Sequence, residues 1–234
     1  MRQLMNLTDA LLDPLLAGDR MGPRITYYDD ATGERIELST VTLANWAAKT
    51  ANLLRDELGA GPGTRVAVLL PAHWQTAAVL LGVWWIGAEV VSDGAADIAL
   101  CTRDRFDEAE ETAGGGEVAV LSLDPFGKPA GDLPIGVTDY ATAVRVHGDQ
   151  IVPERSPGPA LDGQSVDGVL EAARRRAGNL GVSAGDRVMV TSPWSVPELL
   201  AVLAAGASLV QVANPDPATL DRRRVTEKVT RSLG

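Results

Sequence analysis

Hydrophobic and polar positions follow one order twice along the 234-residue chain. Between Leu58 and Val91, a glycine turn is followed by a nearly continuous apolar strand, a loop with a proline, an apolar helix and a second strand. The same order returns between Leu180 and Val210. Apolar strands alternating with helices are typical of parallel sheets covered on both faces. The pattern predicts an α/β fold of two pseudo-repeated strand-helix-strand subdomains, with mainly parallel sheets and helices on both faces.

The same periodicities predict the elements around these two units. Two alternating stretches flank Asp30–Gly33, a turn typical of a hairpin. The predicted helices span residues 4–16, 43–58, 73–86, 103–112, 138–145, 165–177, 193–205 and 219–233, and the predicted strands span residues 24–29, 34–38, 65–70, 89–92, 97–101, 117–121, 187–191 and 207–212. Prolines and glycines interrupt residues 122–163, where only the helix at 138–145 is expected.

The pattern divides the chain into a first α/β half at residues 1–150, a linker at 151–164 and a second, shorter half at 165–234. The linker prediction depends on residues 152–163, VPERSPGPALDG, which contain three prolines and two glycines. Such a composition is typical of connections between domains.

Composition excludes several classes of partner. The formal net charge of −10 opposes binding to nucleic acid or to an anionic membrane. The first residues are interrupted by Asp9 and Asp13, and apolar runs such as 77–86 are too short to cross a bilayer, which predicts neither a signal peptide nor a membrane span. Cys101 is alone and predicts a buried thiol in a cytoplasmic protein. Only three of 21 basic residues are lysines, a bias that indicates a GC-rich, actinobacterial genome.

Two stretches resemble the amino-terminal domain of the AMP-forming acyl-CoA synthetase and adenylation-domain family. Residues 42–91, from TLANWAAKTANLLRDELGAGPGTRVAVLLP to WWIGAEVV, are similar to its first subdomain. Residues 181–210, GVSAGDRVMVTSPWSVPELLAVLAAGASLV, are similar to the stretch that follows the family's phosphate loop. The resemblance implies the fold; these segments chiefly build core and do not specify an activity.

The family's chemistry requires a Ser/Thr/Gly-rich phosphate loop ending G-x-P-K-G, which the resemblance places before the helix at Ser165. The chain instead has Ser156–Gly163, SPGPALDG, with two prolines and no lysine. Gly127–Gly131 matches G-x-P-x-G, but Ala130 stands in place of the lysine, which favours an ordinary proline turn. The family's magnesium, ribose and adenylation residues are expected beyond Gly234.

Other constellations do not predict catalysis. His73 and His147 lack metal-ligand spacing, so we expect no catalytic residue, no metal and no cofactor. Ser195 follows a strand and a proline, and the context favours helix capping. By the resemblance, Val196 stands where relatives often carry a histidine or an aromatic residue lining the acyl tunnel. The arginine run at 222–224, like the one at 174–176, favours a solvated helix face.

Three hypotheses follow. The leading one is a truncated, catalytically degenerate member of this family that acts as a binding or interaction domain. The first alternative is an enzyme or binding protein for an acyl, CoA or nucleotide ligand in the crevice between the halves, with His73, Trp74, Trp194 and Ser195 as candidate residues. The second is one part of a split adenylating enzyme. A homo-oligomer and a protein partner are both left open.

Overall fold

The structure, a computed structural model, describes residues 5–233. The helices are α1 (Leu7–Ala17), α2 (Thr40–Asp56), α3 (Trp74–Trp85), α4 (Phe106–Ala113), α5 (Tyr140–Ala143), α6 (Val166–Leu180), α7 (Val196–Ala204) and α8 (Pro217–Thr226). The strands are β1 (Pro23–Asp29), β2 (Glu34–Ser39), β3 (Arg65–Leu69), β4 (Glu89–Val91), β5 (Ile98–Thr102), β6 (Glu117–Leu121), β7 (Thr138–Asp139), β8 (Arg187–Val190), β9 (Ser208–Ala213) and β10 (Arg231–Leu233). The mixed α/β class with mainly parallel sheets is confirmed.

The first of two compact units consists of the described part of Met1–Ala10 together with Ala44–Pro71 and Gln75–Val169. Its sheet has the strand order β4-β3-β5-β6-β7, and all neighbouring strands are parallel. Helix α4 covers this sheet through Ala109 and Ala113. Helices α2 and α3 approach closely at Gly82, where a Cβ atom would lie 2.9 Å from the Thr50 side chain. Such an approach requires a residue without a side chain.

The second unit consists of Leu11–Leu43, Ala72–Trp74 and the described part of Leu170–Gly234. Its sheet has the order β10-β8-β9-β1-β2, in which only β2 is antiparallel to its neighbour. The predicted hairpin is present, but Ile25–Asp29 pairs with Leu209–Ala213. The structure therefore groups the chain differently from the division at 1–150 and 165–234, because backbone pairing joins the early hairpin to the later repeat.

Residues 151–164, expected as a linker, lie along the edge of the first unit's sheet, and we call them the strap. Leu161 forms a parallel bridge with Val90 of β4. The Trp84 indole N–H donates to the carbonyl oxygen of Ala160 at 2.7 Å. The amide of Gly158 donates to the carbonyl oxygen of Gly87 at 3.1 Å. The prolines remove donors, yet several of the remaining amides and carbonyls pair with other residues of the first unit, and the strap is part of that unit.

Two predicted helices were wrong in part. The one expected at 219–233 ends at Thr226 and is followed by β10, because Lys228 has a φ of 52° and turns the chain. The one expected at 138–145 is divided into β7, the short α5 and a 3₁₀ turn. Among the described residues, no helix combines the length and apolarity needed to cross a membrane. Cys101 is buried in β5, and burial raises the pKa of its thiol to about 11.

Candidate functional site

The loops that follow the two repeated strands meet at Gln211 in the second unit. This buried side chain lies on β9 and accepts a hydrogen bond from the Trp194 indole N–H at 2.7 Å. Its amide nitrogen donates to the carbonyl oxygen of Ala72 at 2.6 Å. Ala72 belongs to the loop after β3, and Trp194 belongs to the loop after β8. A single glutamine thus fixes both loops against one sheet.

His73 is packed among aromatic rings and is only 3% exposed. Its ring centroid lies 4.5 Å from that of Tyr27, at an interplanar angle of 70°, and 5.5 Å from that of Trp74. Its Nε2 atom lies 3.7 Å from Oε1 of Glu34. Burial lowers the pKa of His73 to about 4, so the ring is neutral at neutral pH.

Glu34, the first residue of β2, contributes a carboxylate to the cluster that it forms with His73, Tyr27 and Trp74. Its Oε1 atom also accepts from the Trp74 indole N–H at 3.3 Å. Burial, with smaller contributions from the charges of Asp29 and Glu34, raises the pKa of Tyr27 to about 12, so this phenol stays protonated. The cluster therefore holds a neutral imidazole, a phenol and a carboxylate, close together and away from solvent.

Ser195 differs from the other three candidates because it is exposed. It is the N-cap residue of α7, and its amide donates to Oε2 of Glu198 at 2.8 Å. Glu198 also pairs with Arg176 at 2.8 Å. The Ser195 amide is the main cause that lowers the pKa of Glu198, and Arg176 adds to it. The predicted capping interaction is present.

The four candidate residues therefore lie within one unit, but they do not form one open constellation. His73, Trp74 and Trp194 are buried and bonded to neighbouring groups, whereas Ser195 caps a helix at the surface. Glu34 and Gln211 were not among the residues predicted from the sequence. The signal for Gln211 was one polar residue inside the apolar run SLVQVA of β9. Glu34 had no comparable signal, because its contacts follow from tertiary packing.

The carboxyl ends of β8 and β9 form a topological switch point. Helix α7 follows β8 and leads to β9 on one side, whereas α8 follows β9 and leads to β10 on the opposite side of β8. Open α/β sheets bind ligands outside such ends. The residues there are Thr191, Ser192 and Asn214, of which the last two are exposed and Asn214 donates to Oδ1 of Asp29 at 2.8 Å.

The amides that precede α6 occupy the place where the resemblance expects a phosphate loop. Each donates within the protein: Asp162 to the carbonyl oxygen of Val90 at 3.1 Å, Gly163 to Oε1 of Glu89 at 2.5 Å, and Gln164 to the carbonyl oxygen of Leu161 at 2.8 Å. The Asp162 carboxylate accepts from the amide and hydroxyl of Ser92 at 2.7 and 2.9 Å. These amides are thus paired with protein oxygens, and two carboxylates stand beside them.

The G-x-P-x-G match at Gly127–Gly131 has a similar arrangement. Oδ1 of Asp124 accepts from the amides of Phe126 and Lys128, and Oδ2 of Asp139 accepts from the amide of Ala130 at 2.6 Å. Amides in and beside the turn are therefore paired with the carboxylates of two flanking aspartates. Within residues 5–233, no group of three or more His, Cys, Asp or Glu side chains has a metal-binding arrangement.

The chain is similar to known proteins at two levels. It is 68% identical over 237 residues to a protein of Mycobacterium tuberculosis named "TIGR03089 family protein", and the alignment covers 97% of this chain and 98% of that one. No protein-family model matches.

Solved structures share the fold at lower identity. The Brucella canis acyl-CoA synthetase has a TM-score of 0.77 and 20% identity, covering 97% of this chain and 47% of its own. The Streptomyces lividans acetoacetyl-CoA synthetase has a TM-score of 0.76 and 20% identity, covering 97% of this chain and 42% of its own. The Burkholderia xenovorans benzoate CoA ligase has a TM-score of 0.72 and 17% identity, covering 99% of this chain and 50% of its own. The chain spans about half the length of these structures, and the likeness shows the fold alone.

Proposed function

Because the chain belongs to the TIGR03089 family and has the fold of acyl-CoA synthetases, we propose that it is a catalytically degenerate relative of the AMP-dependent enzymes. It acts as a non-catalytic binding or interaction domain. The observation that carries this proposal is the strap, whose last amides are already paired within the protein before α6 begins.

The electrostatics of the strap support the same proposal. A phosphate loop needs free backbone N–H groups and a cation to hold an anion. Here the three amides donate to protein oxygens, and the carboxylates of Glu89 and Asp162 lie beside them. A triphosphate would have to displace these acceptors and approach two like charges, without a lysine in the strap to compensate.

The test is ATP–pyrophosphate exchange, which detects adenylate formation independently of the final acceptor. We expect no exchange above the protein-free blank with short-chain, long-chain or aromatic carboxylic acids, while an authentic acyl-CoA synthetase in the same assay gives a signal. Exchange with any of these acids, abolished by heat denaturation of this protein, would refute the proposal.

A second candidate function is binding of an acyl, CoA or nucleotide ligand without adenylation. The switch point at the ends of β8 and β9 favours it, because exposed Ser192 and Asn214 flank the position where such sheets bind ligands. A ligand that binds only the native state raises the unfolding temperature. Acyl-CoA, AMP or fatty acids should then give a thermal shift that is reduced in Ser192→Ala and Asn214→Ala. Equal unfolding temperatures with and without all three ligand classes would contradict this function.

A further inference from the structure

The segment that contains α8 and β10 is attached to the rest of the second unit by the pairing of β10 with β8 and by charged groups. Glu227, just after α8, is 6% exposed and receives hydrogen bonds from Arg187, Arg35 and the hydroxyl of Tyr28. Arg187 lies on β8 and also donates to the carbonyl oxygen of Glu227 at 2.6 Å. One carboxylate thereby connects the segment to β1, β2 and β8.

A second charged pair attaches α8 itself. Arg223 donates to both carboxylate oxygens of Asp30, at 2.7 and 3.1 Å, and its guanidinium carbon lies 4.1 Å from the centre of the Tyr28 ring. The side chains of Arg223 and Asp30 are 12% and 13% exposed. The sequence prediction of a solvated face at 222–224 was therefore wrong for Arg223, because the partner Asp30 lies in a distant hairpin turn.

Apolar contacts make a small contribution to this attachment. Helix α8 has no buried residue. The core beneath the segment consists of Met189, Val210 and Val212, with Tyr28, Leu220 and Val229 partly buried around it. The charged network is also incompletely satisfied, since Nη1 of Arg187 is buried without a hydrogen-bond partner. Buried polar networks with an unpaired member are less stable than fully paired ones.

Strained residues flank α8 on both sides. Asn214 precedes it with a φ of 47°, and Lys228 follows it with a φ of 52°. Residues other than glycine rarely adopt this left-handed conformation; asparagine tolerates it best, whereas Lys228 must be held there by surrounding contacts. Asn214 joins β9 to the segment, so rotation there would swing α8 and β10 away from the sheet, whereas Lys228 sets the turn between α8 and β10.

From these observations we propose that residues 214–233 form a hinged conformational device. The segment opens as one unit about Asn214 when the bonds of Glu227 and Arg223 and the pairing of β10 with β8 break, while β8, β9 and β1 stay paired. Opening exposes the edge of β8 and the cluster of Met189, Val210 and Val212.

Hydrogen–deuterium exchange of the full chain, read by mass spectrometry, tests the proposal. Glu227→Gln keeps the shape of the side chain and removes its charge. We expect exchange in residues 217–233 to accelerate by at least about tenfold, as for loss of a charge-assisted hydrogen bond, with protection of β9 unchanged. Asp221→Asn is the matched control, because Asp221 lies on the same helix and pairs with Arg224 in an exposed bridge. It should change exchange by less than about twofold.

Two further measurements keep the test decisive. Lys228→Gly removes the backbone strain of the turn between α8 and β10 in the closed segment, so exchange in 217–233 should slow. In the unmodified chain, raising NaCl from about 0.05 M to about 1 M should accelerate exchange in 217–233 and leave β9 unchanged, because salt screens the charge of the half-exposed Arg35, which pairs with Glu227. Acceleration of β9 equal to that of 217–233 in Glu227→Gln, or no salt response in the unmodified chain, would overturn the proposal.

Discussion

At the scale of single residues, Gln211 and His73 show how polar groups fix the loops of this fold. Gln211 satisfies one donor and one acceptor that belong to different loops. His73 is buried against Tyr27 and Glu34 and stays neutral. Such groups stabilise the native state only while their partners remain in place, since an unpaired buried polar atom is costly. Their substitution should therefore have large effects without any change in the apolar core.

Gln211→Leu should lower the free energy of unfolding by about 2 to 4 kcal/mol, because the Trp194 indole N–H and the Ala72 carbonyl oxygen would both lose their bonds inside the protein. Urea denaturation at neutral pH measures the change. Gln150→Leu is a matched control at an exposed position and should stay within about 0.5 kcal/mol of the unmodified protein. Equal losses in the two variants would contradict the assigned role of Gln211.

His73 should make stability dependent on pH. Its folded-state pKa of about 4 lies below the value of about 6.5 for an exposed histidine. As pH falls, the unfolded chain therefore takes up the proton first. The contribution of neutral His73 to the free energy of unfolding is thus fully present above about pH 6.5 and is lost from there toward about pH 4. Between pH 7 and pH 5 the loss from this group is about 2 kcal/mol.

The corresponding variant is His73→Phe, which keeps a ring and removes the titration. Urea denaturation at both pH values should show a smaller loss of stability in the variant than in the unmodified protein. The other titrating groups are common to both proteins, so the difference isolates His73. Identical pH dependence would show that the buried ring is already charged or solvated.

At the scale of elements, the strap shows how a segment with the composition of a linker can be bound within a folded unit. Its prolines prevent a regular strand or helix, yet the carbonyl oxygen of Ala160 accepts from Trp84 and from the amide of Val90. The amide of Glu154 donates to the carbonyl oxygen of Trp85 at 3.1 Å. A segment with linker composition is thus bound along most of its length.

Trp84→Phe should loosen the strap, because it removes the indole N–H bond to Ala160 and leaves that carbonyl with one partner fewer. We expect a loss of about 1 to 3 kcal/mol in unfolding free energy and faster tryptic cleavage after Arg155. Trp74→Phe removes an indole bond to Glu34, outside the strap, and should not accelerate that cleavage. Equal cleavage rates in the two variants would show that Trp84 does not hold the strap.

Periodicity predicted most of the helices and strands, because apolar spacing records which side of an element faces the core. It predicted the hairpin and both repeats, which lie within a few residues of their observed bounds. It did not predict that β1 pairs with β9, since pairing between distant strands leaves no local pattern. Nor did it predict β10, whose three residues follow the left-handed turn at Lys228.

The candidate site was predictable only as an approximate location. The residues after the repeated strands were identifiable, because parallel sheets present functional groups at those ends. His73 and Trp74 contact Glu34, and Trp194 donates to Gln211. The order of residues in the sequence does not indicate these contacts.

At the scale of the whole molecule, charge is unevenly shared between the two units. The first unit contains 19 acidic and 9 basic residues, whereas the second contains 12 of each. The entire net charge of −10 therefore belongs to the first unit. Like charges within one unit repel each other and destabilise it, and salt screens this repulsion.

The two units should respond to salt in opposite ways. Raising the NaCl concentration should slow hydrogen exchange of β3 and β5 in the acidic first unit, while it accelerates exchange of α8 and β10 in the second. Replacing NaCl with sucrose controls for effects that do not involve charge and should not reproduce the opposite signs. The same direction of change in both units would contradict the proposed effect of this charge distribution on the stability of each unit.

The bridge between Leu161 and Val90 has a consequence for solubility. A sheet edge with unpaired amides and carbonyls is a template for intermolecular strand addition and aggregation. The strap occupies that edge at β4 with a chain whose prolines offer few donors to a further strand. The strap would then protect this edge of the sheet, so a chain with a loosened strap should precipitate at concentrations at which the unmodified chain stays in solution.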